Sequence, residues 1–320
     1  MLNMNESTVQ EINIPNEYHG QRIDVVLAQL FPDFSRSQLS CWLKDGSITL
    51  NQRQWKPKEK VLGNEHLVFH VTPTVHNSEW QAENIPLTIL FEDEHVLIVN
   101  KPTGLIVHPG AGNPEHTLVN ALLFHAPSLQ HLPRAGIVHR LDKDTTGLLI
   151  VAKTLTAHTN LIRQMQAREI QRRYLALVHG HVIAGGTINT FYGRHPRNRL
   201  KMAVCTQGRE AITQYAVRTH YQYFTLLDVK LMTGRTHQIR VHMAHINHPV
   251  IGDQLYNNRP HCPAGFNDEL KQAFQQFKRQ ALHACSLSFI HPQTQEELTF
   301  TAPLPDDFQS LLHLLDTDLV

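Results

Sequence analysis

Apolar residues first recur with a helical period. Ile23, Val26, Leu27, Leu30 and Phe31 stand at i, i+3, i+4, i+7 and i+8, and Pro32 closes the run. Residues 1–17, ahead of them, show no period and are expected as a loose lead-in. Ser35-Arg-Ser-Gln38 has the form of a capping box for a second helix, with Leu39 and Leu43 on its apolar side and Gly46 placed to end it. Residues 47–51 and 66–71 alternate as strands. Residues 72–84 have no period and predict a linker. These patterns divide the chain into a small α+β module over 18–75, a connector over 76–85 and a larger domain over 86–320.

In the larger domain the apolar runs 87–91 and 96–100, joined by Glu92-Asp-Glu-His95, predict a hairpin. Residues 117–125 predict a short helix, and the unbroken run 148–152 a buried strand. Leu161, Ile162 and Met165 share one face of a helix expected over 156–167. A strand follows over 172–178, a turn at 184–187, a basic loop at 194–201 and an antiparallel pair over 209–217 and 221–231. Gly234 marks a bend, and 235–245 reads as a helix. An insertion over 254–280 carries a helix at 268–277, a strand pair spans 282–290 and 297–301, and 305–315 is a terminal helix. Many short strands with few helices predict an α+β domain built on a mixed, largely antiparallel sheet.

Composition narrows the class. With 41% hydrophobic and 18% charged residues the chain reads as globular, and no apolar run approaches membrane-spanning length. Its polar start lacks a signal-peptide core. Cys41, Cys205, Cys262 and Cys285 are scattered and form no C-x-x-C, which argues against a disulfide framework or a cysteine-rich zinc site and predicts a cytoplasmic protein. The formal net charge is +1, but it is unevenly spread. From Arg163 to Arg240 there are 13 Arg or Lys against three acidic residues, an excess of +10. A basic block in a near-neutral chain predicts a polyanionic partner, against the plainer reading of a solvated basic face.

The chemistry centres on His139-Arg140-Leu141-Asp142-Lys143-Asp144-Thr145-Thr146-Gly147. One carboxylate, Asp142, stands between two cations, which favour its charged form. The plainer alternative is a polar turn before a strand. Asp142 and Asp144 together could be a glycosidase pair, but such a pair needs one protonated member, and two flanking cations oppose that. His237, His242, His245 and His248 raise the question of a metal, yet no H-E-x-x-H string accompanies them. Arg235 and Arg240 would need an anion if partly buried, and Asp142 or an RNA phosphate are the candidates. Tyr174, beside Arg172 and Arg173, could stack on a base or be an ordinary strand tyrosine.

Taken together, the strings Lys101-Pro-Thr-Gly104, Val107-His-Pro-Gly110, the nine residues from His139, Arg173-Tyr174, and Thr233-Gly-Arg-Thr-His-Gln-Ile-Arg240-Val-His-Met243 resemble the RluA family of pseudouridine synthases. The match runs in order over residues 86–305. Residues 108–114, 133–138 and 279–283 are most similar to members that act on large-subunit ribosomal RNA. Arg22-Ile-Asp24, Ser35-Arg36 and Gly46-Ser-Ile-Thr-Leu-Asn51, among basic residues that include Lys44, resemble an S4-like RNA-binding domain.

The resemblance implies the pseudouridine synthase fold and an isomerase that turns uridine into pseudouridine without metal or cofactor. It implies Asp142 as the carboxylate at the ribose C1′ or C2′, Tyr174 as the ring that stacks on the base, and Arg235 as the ion-pair partner of Asp142. It implies Arg140 as the arginine that replaces the extruded base. Arg36, Lys44, Arg194, Arg197, Arg199, Lys201 and Arg240 are expected to contact RNA. The expected partner is large-subunit ribosomal RNA or the assembling subunit, with no membrane and a monomeric enzyme. The alternatives are a non-catalytic RNA-binding or ribosome-assembly protein, a sister enzyme acting on other ribosomal or transfer RNA sites, and a zinc hydrolase.

Overall fold

The computed structural model describes residues 8–31, 36–71, 80–110, 112–198, 200–257 and 266–317. In the N-terminal unit, β1 (Thr8–Asn13), β2 (Ile48–Leu50) and β3 (His66–Val71) form an antiparallel sheet in the order β1-β3-β2. The apolar stripes of α1 (Ile23–Leu30) and α2 (Arg36–Asp45) close over it, burying Ile23, Val26, Leu27, Leu39 and Leu43 against Ile48 and Phe69. Asp24, 4% exposed, ties the unit together by accepting from both Arg22 (2.9 Å) and Arg36 (2.7 Å). Burial pushes its carboxyl up, but the two guanidinium groups hold it below the usual carboxylate range. The expected loose lead-in is thus corrected at 8–13, which is an edge strand paired with β3. The capping box at Ser35 and residues 72–79 of the linker expected over 72–84 lie outside the described residues.

The second sheet has ten strands. They are β4 (Thr88–Glu92), β5 (Val96–Lys101), β6 (Thr146–Ala152), β7 (Gln171–His179), β8 (Gly186–Arg194), β9 (Met202–Cys205), β10 (Arg209–His220), β11 (Phe224–Leu231), β12 (Leu282–Ile290) and β13 (Glu297–Thr301). Their order is β4-β5-β6-β12-β7-β11-β10-β8-β9, with β13 also on β12. Every pairing in it is antiparallel except β6 with β12. The fold is therefore α+β with a largely antiparallel sheet, as expected. Alternate residues of β5 and β6 enter two cores: Leu97, Val99, Leu149 and Val151 one, Val96, Ile98, Leu148 and Ile150 the other. Burial on both faces explains their unbroken apolar sequence.

Helices α3 (Leu118–His125) and α7 (Asp306–Thr317) bury Leu122, Phe308 and Leu311 in the first core. Helix α4 (Leu155–Ala167) buries Leu161 in the second, and its start is capped by Thr154, whose Oγ1 accepts from Ala157 N at 3.1 Å. Gly147 lets β6 reach β12: it sits at φ 110°, and a Cβ there would stand 2.2 Å from Ala284 O. Two strands, β8 and β9, were not evident from the pattern. The helix expected over 235–245 begins only at Gln238, as α5 (Gln238–His245), because His237 is left-handed with φ 58°. Helix α6 (Asp268–Gln276) forms as expected, while 258–265 lie outside the described residues.

Candidate active site

The loop before β6 alternates its side chains. Leu141, 3% exposed, anchors it in the core, while Arg140 is exposed and Asp142 faces a cavity of about 220 Å³. Ile106, Arg140, Asp142, Asp144, His237 and Arg240 are among the residues that line this space. The loop is pinned from several sides. Thr145 N donates to Asp142 O (3.1 Å), Gln280 Nε2 to Thr145 Oγ1 (3.0 Å), and the Lys101 ammonium to Lys143 O (2.9 Å). Lys101 is fully buried and also donates to Pro102 O and Leu105 O, so all three of its donors are used. Burial pulls its pKa down to about 7, opposed by Asp144 and Asp142.

The cation that meets Asp142 is Arg240, on the first turn of α5. Its Nη1 donates to Asp142 Oδ2 at 2.9 Å, and its Nε and Nη2 donate to the two oxygens of Asp253 at 2.7 and 2.9 Å. Asp253 also accepts from Leu255 N and Tyr256 N. Burial works against the Arg240 cation, but the two carboxylates hold it more firmly protonated than a free arginine. Asp253 is held below the usual carboxylate range by Arg240, against the upward push of its burial. The guanidinium also lies 5.1 Å from the Tyr256 ring centroid. With its donors shared between two carboxylates, it presents a fixed face to Asp142.

Asp142 Oδ1 accepts no hydrogen bond among the described residues, and His237 Nε2 stands 3.9 Å from it. Tyr256 Oη accepts from Met202 N (2.8 Å) and lies 2.8 Å from His237 Nδ1. If the hydroxyl donates to Nδ1, the ring hydrogen is on Nε2 and faces Asp142. Burial lowers the His237 pKa, which keeps the ring neutral. Gln238 fixes the approach to α5: its Oε1 accepts from Thr233 Oγ1 and Arg235 N, and its Nε2 donates to Ile212 O on β10.

Tyr174 lies on β7 and is 4% exposed, more buried than a half-exposed strand tyrosine. Burial raises its phenol to about 12; Arg172 opposes that shift and Asp142 adds to it. Arg235 is a correction. Its Nε donates to Glu210 O (3.2 Å), and the partner of Asp142 is Arg240. The backbone between the two arginines turns left-handed at His237. Arg240, expected at RNA, is instead 7% exposed and engaged by carboxylates.

Among the other expected RNA contacts, Lys44, Arg194 and Arg197 are exposed. Lys201 lies over Tyr256 at 5.9 Å, which brings the basic loop beside the carboxylate cluster. Arg36 is half exposed but bonded to Asp24, and Arg199 lies outside the described residues. Among the described residues no group of three His, Cys, Asp or Glu could hold a metal. His242 is buried between Thr213 and Thr190, while His245 is exposed. Asp253, Tyr256, Lys101 and Gln238 went unassigned by sequence reasoning. The one signal was that a buried Arg240 would demand an anion, and it has two.

The family model described as RNA pseudouridylate synthase matches residues 95–245. The chain is 48% identical over 313 residues to the ribosomal large subunit pseudouridine synthase D of Xanthomonas campestris pv. campestris, covering 98% of this chain and 94% of that protein. It is 47% identical over 300 residues to the protein of the same name from Escherichia coli (strain K12), covering 93% and 92%. Among solved structures, human RNA pseudouridylate synthase domain containing 1 is 26% identical with a TM-score of 0.55, covering 73% of this chain and 89% of that one.

Proposed function

The chain belongs to the RNA pseudouridylate synthase family and is an enzyme that isomerises uridine in RNA to pseudouridine, and on that premise we propose that its substrate is large-subunit ribosomal RNA and that Asp142 acts on the target ribose. The relatives named above support the substrate. The observation that carries the assignment of Asp142 is its cavity-facing carboxylate, held at one oxygen by an arginine that is itself clamped by Asp253.

In this reading the target nucleotide swings out of the RNA stack into the cavity, at a cost of about a few kcal/mol in lost stacking and pairing. Asp142 acts at C1′ or C2′, the C1′–N1 bond breaks, the base turns over, and C5 bonds to C1′. There is no net redox change or hydrolysis. Arg240 holds and orients the carboxylate, a task that the resemblance had given to Arg235. Tyr174 supplies the ring against which the base stacks, and Arg140, exposed beside Asp142, fills the gap left in the RNA.

Arg194, Arg197, Arg199 and Lys201 hold the phosphate backbone. The N-terminal unit serves as an S4-like RNA-binding module, with Lys44 and the outer edge of Arg36 turned to RNA. A soluble enzyme of the cytoplasm, working as a monomer, fits these roles; no helix among the described residues is long and apolar enough to cross a membrane. The test is pseudouridine mapping of ribosomal RNA from cells with and without the gene. Specific large-subunit positions should revert to uridine on deletion and be restored by the wild-type gene. An unchanged large-subunit map, with losses in small-subunit or transfer RNA, contradicts the substrate.

A further inference from the structure

Arg172 is the second residue of β7, two before Tyr174, and strand alternation turns both side chains to one face. It is 6% exposed, yet its Nε is buried without a partner. Among the described residues its guanidinium makes no hydrogen bond or ion pair. A buried cation with no anion is costly to fold around, so it persists where something else requires it.

The neighbours cannot supply the missing acceptor. His139 Nε2 already accepts from Ile150 N at 3.2 Å, which leaves the ring hydrogen on Nδ1, a buried donor with no partner of its own. Burial, with Arg172 close by, lowers His139 to about 3, so the ring stays neutral. Gly234 packs directly against the guanidinium, close enough that a Cβ on it would stand 2.5 Å from Arg172 Nη1. Gly234 belongs to the turn that leads into α5 and Arg240. The position therefore combines a buried guanidinium whose Nε has no acceptor, close packing against the turn that leads to Arg240, and a place on the same strand face as Tyr174.

We propose that Arg172 donates hydrogen bonds to a carbonyl oxygen of the target uracil and steadies the base while it is detached from the ribose. The inference rests on the reading above, in which the flipped base stacks on Tyr174 beside Asp142. A phosphate is the less suitable acceptor, because the backbone stays outside with the exposed Arg140, Arg194 and Arg197. When C1′–N1 breaks, the electron pair leaves with the base and spreads onto its carbonyl oxygens. Arg172 stabilises that charge without giving up a proton. C5 then bonds to C1′ and loses its hydrogen as a proton while N1 gains one, so the base ends neutral.

The test compares wild type, Arg172→Met and Asp142→Asn on substrate RNA and on the same RNA with an abasic target nucleotide. Arg172→Met should lower single-turnover pseudouridine formation roughly 10- to 100-fold. It should bind abasic RNA like wild type, and its free form should melt at the same or a higher temperature, since an unpaired buried charge is gone. Unchanged turnover overturns the proposal. So does an equal loss of affinity for abasic RNA, which marks a phosphate contact. A lower melting temperature with turnover lost in step marks a structural role and also overturns it. Should Arg172→Met fail to fold, Gly234→Ala, which crowds the guanidinium, must show the same split between turnover and abasic binding. If Asp142→Asn is inert and Arg172→Met fully active, only this inference fails. If Asp142→Asn is fully active, the reading of the whole site fails.

Discussion

Asp142, Arg240 and Asp253 form a chain of charge in which the outer carboxylate fixes the arginine and the arginine fixes the inner carboxylate. Removing one partner from a buried pair costs about 3–5 kcal/mol, because the other is left charged and unpaired. Arg240→Met is therefore expected to reduce single-turnover pseudouridine formation by at least about 100-fold, while Arg235→Met should stay within about threefold of wild type. Comparable losses in the two variants would contradict the geometry. Two arginines five residues apart were evident in the sequence as possible partners of Asp142. Choosing between them was beyond it, because the choice turns on the left-handed backbone of His237, which no local pattern signals. Asp253 was invisible for a similar reason: a carboxylate thirteen residues beyond Arg240 becomes its clamp only when the chain folds back.

At the level of elements, legibility followed burial. Strands β5 and β6 are sandwiched between two cores and read as unbroken apolar runs, so they were foreseen. Strands β8 and β9 lie at the far edge of the sheet, with half-exposed residues that blur the alternation, and they were missed. The elements also set a pH response. His139 accepts from the backbone of β6, and burial lowers it to about 3; burial likewise lowers His108, His158 and His242 to about 4. Below pH 6.5 the unfolded chain takes up protons that the folded one refuses. Stability therefore falls as pH drops from about 6.5 towards 4, by on the order of 1 kcal/mol per pH unit per histidine at most. Carboxylates held low, such as Asp24 and Asp253, add their loss only below about pH 4. Urea melts between pH 7 and 4 should show a steady decline, and His139→Gln should make it shallower. A flat profile down to pH 4 would contradict the buried neutral histidines.

Across the whole molecule, the fold class was legible but the order of strands was not. Strand β12 comes late in the chain yet lies between β6 and β7, parallel to the first and antiparallel to the second. Periodicity reports which face of a strand is buried and says nothing of which distant strand lies beside it. That insertion brings Arg279 and Gln280 to the Asp142 loop, where Arg279 Nη1 reaches Asp144 O at 3.4 Å and Gln280 bonds Thr145. The Asp142 loop is thus held by segments from both halves of the domain. The motif strings exposed the family before any of these contacts could be known, because they record the site's chemistry and not its geometry. The most direct measurement is single-turnover pseudouridine formation by Asp142→Asn, taken alongside its affinity for the same RNA. The expected result is no detectable pseudouridine, with affinity within about threefold of wild type. Pseudouridine formed at a rate near that of wild type would contradict the assignment of Asp142.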